Sequence, residues 1–164
     1  MEIRKSMMED LPRILALYEQ ARAFMKANGN PDQWGDSYPE EEIVRQDIEE
    51  GRSYVCETDG EIAGVFYFSC EPDPDYARID DGGWLNDAPY GVVHRITASS
   101  RQRGVASFCL DWAFSQCGNL RIDTYKDNQP MQNLLKKKGF TRCGIIYVRE
   151  GSPRIAFQKL RREQ

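Results

Sequence analysis

The strongest constraint on the fold is a stretch from Val92 to Ala106, where an apolar run passes into a polar turn and then into helical sequence. β-Branched residues dominate the first part, which predicts a strand. The turn contains Gly104, and the amphipathic sequence after it predicts a helix. A strand, a glycine-containing turn and a helix in this order bring backbone N–H groups and the positive end of a helix dipole to one point. Such a turn can bind a diphosphate group.

The spacing of residues 101–106, Arg-Gln-Arg-Gly-Val-Ala, resembles a known cofactor motif. The motif is Gln/Arg-x-x-Gly-x-Gly/Ala, and it belongs to the GNAT superfamily of N-acetyltransferases. A short motif alone leaves a simpler interpretation open, in which Ser99–Gly104 is a polar loop ahead of a helix. The sequence around it therefore has to decide.

A second segment further along the chain supports the resemblance. Leu120–Thr124 reads as a strand, Asp127–Pro130 as a helix start and Met131–Lys138 as a short helix closed by Gly139 and Phe140. An Asp or Asn cap, a proline in the first turn and a glycine at the end each fit a helix boundary. An asparagine after a strand, followed by a helix ending in Gly-Phe, resembles the second GNAT signature. With both motifs in order, the resemblance covers nearly the whole chain.

Bulk composition is consistent with one soluble domain over residues 1–164. The sequence is 29% charged and 40% hydrophobic, with no apolar run long enough to cross a bilayer and no signal-peptide pattern. We therefore expect a cytoplasmic protein without a membrane partner. The net charge of −4 argues against nucleic acid as a partner, because binding to phosphate backbones depends on clustered Lys and Arg.

The five cysteines are scattered and odd in number, which favours reduced core residues over a disulfide framework. They are Cys56, Cys70, Cys109, Cys117 and Cys143. With one histidine and no closely spaced cysteine pair, we predict no metal site.

The remaining sequence predicts helices and strands that surround the two motifs. A Ser-x-x-Glu capping box at Ser6–Glu9 predicts the start of a long helix that Gly29 ends. Asp59-Gly60 is a strong hairpin signal. The predicted strands are Glu2–Lys5, Ser53–Thr58, Glu61–Ser69, Tyr90–Ala98 and a closing hairpin of Cys143–Val148 and Arg154–Leu160 around Glu150–Pro153. A second helix is predicted at about Glu40–Glu50, and Glu71–Pro89 reads as a loop.

This order predicts an α/β fold with a mixed sheet of about six or seven strands and about four helices. The family resemblance implies that the strand at Tyr90–Ala98 and the next strand splay apart and hold the pantetheine arm of acyl-CoA. It implies cofactor contacts from this strand, from the turn with its diphosphate-binding amides, and from Asn128. The implied cofactor-binding residues are Arg95, Ile96, Thr97, Ala98, Arg101, Gln102, Arg103, Gly104, Val105, Ala106 and Asn128. The alternative to cofactor binding is that Arg101 and Arg103 lie at the solvated edge of a loop and that Asn128 only caps a helix.

His94 is the candidate general base. An amine with a pKa of about 10 is mostly protonated at neutral pH, so attack on a thioester requires a proton acceptor. Imidazole ordinarily titrates near neutrality, and the position resembles that of a histidine in the arylalkylamine N-acetyltransferases. Strand alternation would place His94 on one face with Val92 and Ile96, so a packed, structural histidine remains the alternative.

The general acid is harder to place. Many family members have a tyrosine where this chain has Leu135, so the resemblance leaves that role open. Tyr125 is the candidate substitute, although it could be an ordinary strand-end aromatic residue. A backbone N–H near Arg95 or Ile96 is the expected oxyanion donor.

Four aromatic residues lie in segments that the family uses to wall the acceptor site: Trp34, Tyr38, Trp84 and Tyr90. Aspartates accompany them at Asp73, Asp75, Asp80, Asp81 and Asp87. Aromatic walls with carboxylates suit a cationic amine. The alternative is that the aromatic rings anchor loops and the aspartates form turns.

The sequence thus predicts transfer of an acetyl group from acetyl-CoA to a primary amine, favouring a small molecule, by direct attack in a ternary complex. Two alternatives stay open: a non-catalytic acyl-CoA sensor, and an N-acetyltransferase acting on proteins or peptides. A homodimer through the C-terminal hairpin or a sheet edge is possible.

Overall fold

Seven strands and four α-helices are present in the computed structural model, which describes residues 1–149 and 151–161. The strands are β1 (Glu2–Lys5), β2 (Ser53–Thr58), β3 (Glu61–Ser69), β4 (Gly91–Ala98), β5 (Asn119–Thr124), β6 (Thr141–Val148) and β7 (Ser152–Leu160). The helices are α1 (Leu11–Ala27), α2 (Glu41–Glu49), α3 (Val105–Cys117) and α4 (Gln129–Lys137). The predicted α/β class, strand number and helix number are confirmed.

The strands form one sheet in the order β1-β2-β3-β4-β5-β7-β6. β1 with β2, β2 with β3, β5 with β7 and β6 with β7 are antiparallel pairs. β4 and β5 are parallel, and their registered ladder consists of Gly91 with Leu120 and Val92 with Arg121. The predicted mixed sheet is confirmed.

The first of two compact units comprises Met1–Phe68 and His94–Trp112. Apolar residues of α1 and α2, spaced three or four apart, pack with side chains from β2 and β3, as helical periodicity requires. Its core consists of Leu11, Ile14, Leu17, Tyr18, Trp34, Val44, Ile48, Val55 and Val65.

The predicted capping box at Ser6–Glu9 is wrong. Ser6 instead joins β2, because its N–H donates to the oxygen of Ser53 and the two hydroxyl groups lie 2.8 Å apart. A short 3-10 turn at Met8–Asp10 follows, in which the Asp10 carboxylate accepts from the Met7 N–H at 2.7 Å. α1 therefore begins at Leu11, because Ser6 is already committed to the sheet.

The predicted hairpin between β2 and β3 is confirmed. Asp59 and Gly60 have φ values of 52° and 78°, so both lie in the left-handed region. That pair of angles fits the two-residue turn that matches the twist of antiparallel strands.

The second unit comprises Ser69–Val93 and Ala113–Gln164. Tyr76, Val92, Ile146 and Ala156 form its buried apolar cluster. The predicted loop at 71–89 holds one short 3-10 turn, Pro74–Tyr76. This loop lies directly on β6, where Asp80 and Ile145 exchange two backbone hydrogen bonds of 2.8 Å. A Cβ atom on Gly82 or Gly144 would clash with backbone oxygens there, so the close approach requires glycine.

The closing hairpin is confirmed as β6 and β7, although β6 begins two residues earlier than predicted. Glu150 of the predicted turn lies outside the described residues. All five cysteines are free thiols. Cys56, Cys109 and Cys143 are buried and Cys117 is half-buried, whereas Cys70 is exposed and does not fit the predicted core position.

Candidate active site

The turn between β4 and α3 is held at its start by the sheet. The Ser99 N–H donates to the oxygen of Ala63 at 2.7 Å, and the Ser99 hydroxyl accepts from the Arg101 N–H at 3.3 Å. The Gln102 side chain donates to the Thr58 hydroxyl at 3.0 Å. These bonds fix the turn against β2 and β3, while its residues 100–104 remain exposed.

The N-terminal turn of α3 can bind an anion. Helical bonding begins with the Phe108 N–H, which donates to the Gly104 oxygen at 2.9 Å. The N–H groups of residues 105–107 come before that point, and the first N–H groups of a helix have no acceptor within the helix. Gly104 has a φ of +81°, and a Cβ atom there would meet nothing within 4 Å. Amides without a helical acceptor, an open backbone face and the flanking Arg101 and Arg103 fit a diphosphate.

β4 departs from regular strand geometry immediately after His94. Arg95 has a φ of +49°, in the left-handed region that L side chains rarely adopt. Strict alternation cannot continue through such a residue. The shared strand face predicted for Val92, His94 and Ile96 therefore does not follow from alternation beyond Arg95 and stays a prediction; Val92 is buried, whereas His94 and Ile96 are half-buried.

The Arg95 side chain is bound to α2. Its Nε and Nη2 atoms donate to the two carboxylate oxygens of Asp47 at 3.0 and 2.8 Å. Its Nη1 atom donates to the Tyr38 hydroxyl at 3.1 Å. The guanidinium lies 4.8 Å from the centroid of the Tyr67 ring. Because the Arg95 guanidinium is bound to Asp47, only the backbone of Arg95 remains as a candidate cofactor contact.

Burial acts on both members of this ion pair. It raises the pKa of the Asp47 carboxyl, and the charge and hydrogen bonds of Arg95 oppose that change. Burial alone would lower the pKa of the Arg95 guanidinium, but the Asp47 carboxylate together with Tyr38 and Tyr18 more than offsets this and holds the pKa above its ordinary value. Two complementary hydrogen bonds of this length favour the ionised pair.

His94 lies against Tyr67. Their ring centroids are 5.4 Å apart and the ring planes are inclined by 36°. His94 is half-buried, so part of the residue is accessible to solvent. The same tyrosine ring thus contacts His94 and Arg95.

Trp34 and Tyr38 lie in this unit as well. Trp34 packs edge-on against Tyr18 at 5.7 Å and against Tyr38 at 6.2 Å, and only 8% of it is exposed. This burial supports a loop-anchoring role for Trp34. Tyr38 contacts Arg95 directly, so it is joined to the segment that carries His94.

Trp84 and Tyr90 lie in the second unit, where both rings contact one buried arginine. The Arg121 guanidinium is 4.2 Å from the Trp84 ring and 3.9 Å from the Tyr90 ring. Tyr76 contacts both aromatic rings. These contacts support the anchoring alternative. Burial lowers the pKa of Arg121, and the surrounding aromatic faces are a favourable setting for its charge.

Two of the loop aspartates have structural partners. Asp73 accepts from the Asp75 N–H at 2.9 Å at the start of the 3-10 turn. Asp80 pairs with Arg78 at 2.7 Å. Both contacts are those of turn-forming residues.

The second signature is a capped helix in the second unit. The Asn128 side chain accepts from the Met131 N–H at 3.1 Å, which confirms it as the cap of α4. Gly139 has a φ of +87°, and the Phe140 N–H donates to the Leu135 oxygen at 2.9 Å, which closes the helix. Leu135 is fully buried. The Arg154 guanidinium lies over the Tyr125 ring, 4.7 Å from the ring centroid.

Three residues around the candidate site were not predicted from the sequence: Asp47, Tyr18 and Tyr67. Asp47 lies three residues after Val44 and one before Ile48 on the buried face of α2, and only 7% of it is exposed. A carboxylate at an apolar position of a helix was the signal that could have found it, because such a group requires a partner. Tyr18 and Tyr67 carried no such signal.

Residues 1–149 and 151–161 hold neither a metal-binding cluster nor a membrane-crossing helix. No group of three or more His, Cys, Asp or Glu side chains is placed to hold a metal ion in that part of the chain. No helix found there combines the length and the apolar character needed to cross a membrane.

Comparison with known proteins assigns a family. The model of the acetyltransferase (GNAT) family matches residues 14–140. A GNAT-family acetyltransferase from Streptococcus agalactiae 2603 is 31% identical, with a TM-score of 0.90 over 99% of this chain and 96% of that one. A search of curated proteins found no match.

More distant solved structures share the fold. A GNAT-family acetyltransferase from Listeria monocytogenes is 21% identical, with a TM-score of 0.70 over 96% of this chain and 93% of that one. A ribosomal-protein-alanine N-acetyltransferase from Brucella melitensis is 18% identical, with a TM-score of 0.66 over 98% and 99%. With most of its length matched by the family model and by a relative of the same architecture, this chain belongs to the GNAT family of acetyltransferases.

Proposed function

We propose that this acetyltransferase moves the acetyl group of acetyl-CoA to the primary amine of a small molecule by direct attack in a ternary complex. The observation that carries the proposal is the N-terminal turn of α3. There the N–H groups of residues 105–107 precede the first helical bond, next to the open backbone of Gly104. Bound acetyl-CoA would supply an acetyl group activated as a thioester.

The turn residues hold the cofactor in this proposal. Backbone N–H groups of residues 101–106 bind the diphosphate, and Arg101 and Arg103 add positive charge beside it. The last residues of β4, Ile96, Thr97 and Ala98, offer backbone groups to the pantetheine arm. Asn128 contributes as the cap of α4, a role that its bond to Met131 supports.

His94 removes the proton of the amine at a ring nitrogen, directly or through water. Its half-buried position and its contact with the Tyr67 ring support this role, because the residue is partly accessible and its imidazole is packed against a neighbouring ring. A general base contributes about 100-fold to 10,000-fold in rate, which is the size of effect expected of His94. Tyr125 remains the proposed proton donor to the leaving thiolate.

Tyr38 is the best supported of the proposed acceptor contacts. It is half-buried and bound to Arg95, the residue after His94. Trp34, Trp84 and Tyr90 act mainly by fixing loops, as their packing supports. We propose a cytoplasmic location and a possible homodimer as further expectations.

A non-catalytic acyl-CoA sensor is the second candidate. Leu135 favours it, because a buried leucine stands where many family members have the tyrosine that acts as general acid. The two candidates share cofactor binding and differ in turnover.

A thiol-release assay tests the proposal. Acetyl-CoA is incubated with polyamines, arylamines, amino acids or peptides with free N-termini, and calorimetry measures the binding of CoA. We expect CoA binding and thiol release with at least one small amine, and a loss of about 100-fold or more in kcat/KM for His94→Ala. Binding without release across the panel would favour the sensor. Release with peptides alone would favour the peptide N-acetyltransferase, and no binding would refute both main candidates.

A further inference from the structure

Arg95 adopts a conformation that its surroundings have to maintain. It is a non-glycine residue with a φ of +49° inside a strand, next to His94. Residues in such sparsely populated regions persist where several contacts hold them, and they cluster at functional sites.

Contacts from three elements hold Arg95. Asp47 of α2 binds the guanidinium with two hydrogen bonds, of 3.0 and 2.8 Å. Tyr18 of α1 donates its hydroxyl to the Arg95 oxygen at 2.9 Å. Tyr67 of β3 lies under the guanidinium at 4.8 Å. Among these, Asp47 supplies the only opposite charge, and it sits on a helix whose apolar face is packed into the core.

His94 depends on the same surroundings. Its imidazole contacts the Tyr67 ring that also lies under Arg95, with ring centroids 5.4 Å apart. His94 and Arg95 are adjacent in β4. A change in the backbone at Arg95 therefore shifts the Cα atom of His94 and with it the imidazole. The place of the imidazole is therefore coupled to the anchoring of Arg95.

We propose that Asp47 is a positioning residue for acetyl transfer: by binding Arg95 it maintains the left-handed backbone there and so keeps the His94 imidazole on the Tyr67 ring. This inference rests on the proposed role of His94 in the reaction. In this proposal Asp47 acts through Arg95 and not by contact with substrate or cofactor.

Steady-state kinetics of Asp47→Asn provide the first test. Misplacing a reacting group by about 1 Å can cost about 100-fold, so we expect kcat to fall by about that factor while KM for acetyl-CoA stays near the wild-type value. Asp10→Asn is the matched control, because Asp10 also binds an arginine, Arg4, with two bonds of 2.8 and 3.0 Å. We expect Asp10→Asn to keep the wild-type kcat.

Proton NMR of the same variants tests positioning without using activity. The chain has one histidine, so its Cε1 proton gives one assignable signal in tag-free protein. Contact with the Tyr67 ring displaces that signal by the ring current. We expect the displacement to be lost in Asp47→Asn and kept in Asp10→Asn.

A double variant separates positioning from stability. Asp47→Leu with Arg95→Met replaces the buried pair by apolar side chains, an exchange that often preserves stability. We expect this protein to unfold near the wild-type urea midpoint and still to show the reduced kcat. Wild-type kcat in Asp47→Asn or in the double variant, or an unchanged His94 signal in Asp47→Asn, would overturn the inference. If the wild-type protein transfers no acetyl group, the proposed function fails, and the His94 signal still decides whether Asp47 positions the ring.

Discussion

The hydroxyl of Tyr18 donates a hydrogen bond of 2.9 Å to the backbone oxygen of Arg95, 77 residues further along the chain. This bond joins the buried face of α1 to the irregular point of β4. Burial raises the pKa of the Tyr18 phenol well above its ordinary value, so Tyr18 remains a donor across the physiological pH range. The candidate base therefore lies beside a backbone segment that the core of the first unit holds directly.

Replacing Tyr18 with Phe keeps the ring packing and removes the donor. We expect the free energy of unfolding to fall by about 1–3 kcal/mol, the cost of leaving a buried carbonyl unpaired. Urea unfolding measures the change, with an unaltered m-value as the sign that only stability has changed. Stability equal to that of the wild type would show that the bond contributes nothing.

The ion pair between Arg4 and Asp10 predicts a pH dependence of stability. The hydrogen bonds from Arg4 hold the pKa of Asp10 below its usual range. Because the folded-state pKa is lowered, the stabilisation is present above the unfolded-state pKa of about 3.9 and is lost as pH falls through the folded-state value. Asp10→Asn should therefore lose about 1 kcal/mol at pH 7, and the difference from the wild type should shrink below about pH 4. Urea midpoints between pH 3 and pH 7 measure it, and a gap that is constant with pH would contradict the assignment.

Gly104 and Gly29 form a matched pair for testing the cofactor turn. Their φ values are +81° and +80°, and a Cβ atom at either would meet nothing within 4 Å. Alanine at each position should cost about 1–2 kcal/mol of stability, because an L residue is disfavoured in this conformation. Only Gly104→Ala should also weaken CoA binding, since its methyl group would project where we propose the diphosphate binds. Calorimetry with CoA distinguishes them, and equal affinities would count against the site.

Asn128 can be tested by separating its acceptor from its donor. Asn128→Asp keeps an oxygen to cap the Met131 N–H, whereas Asn128→Ala removes it and should cost about 1 kcal/mol of stability. If capping is its whole role, Asn128→Asp should bind CoA as the wild type does. A large loss of CoA affinity in Asn128→Asp, with stability retained, would instead assign the side-chain amide to the pantetheine.

Local sequence signals predicted those elements whose causes are local. The Asp59-Gly60 turn, a cap of α4 at Asp127 or Asn128 and the Gly139 terminus were predicted, because each depends on the backbone preferences of one or two residues; the structure selects Asn128 as the cap. The capping box at Ser6 failed for the opposite reason. Its serine is recruited by Ser53, a partner 47 residues away that no local pattern reveals.

The features of the candidate site also fall into two groups, those that depend on local sequence and those that depend on distant contacts. The sequence by itself determined the strand, turn and helix around Gly104, because helix ends and turns depend on residues that are close together in the chain. Through the two motifs it also determined the GNAT family. Only the tertiary structure decided that Arg95 breaks strand alternation, that Asp47 and Tyr18 hold it, and that Tyr67 lies against His94. The physical reason is that a left-handed arginine is unfavourable in isolation, and the side chains that offset its cost come from three distant segments of the chain.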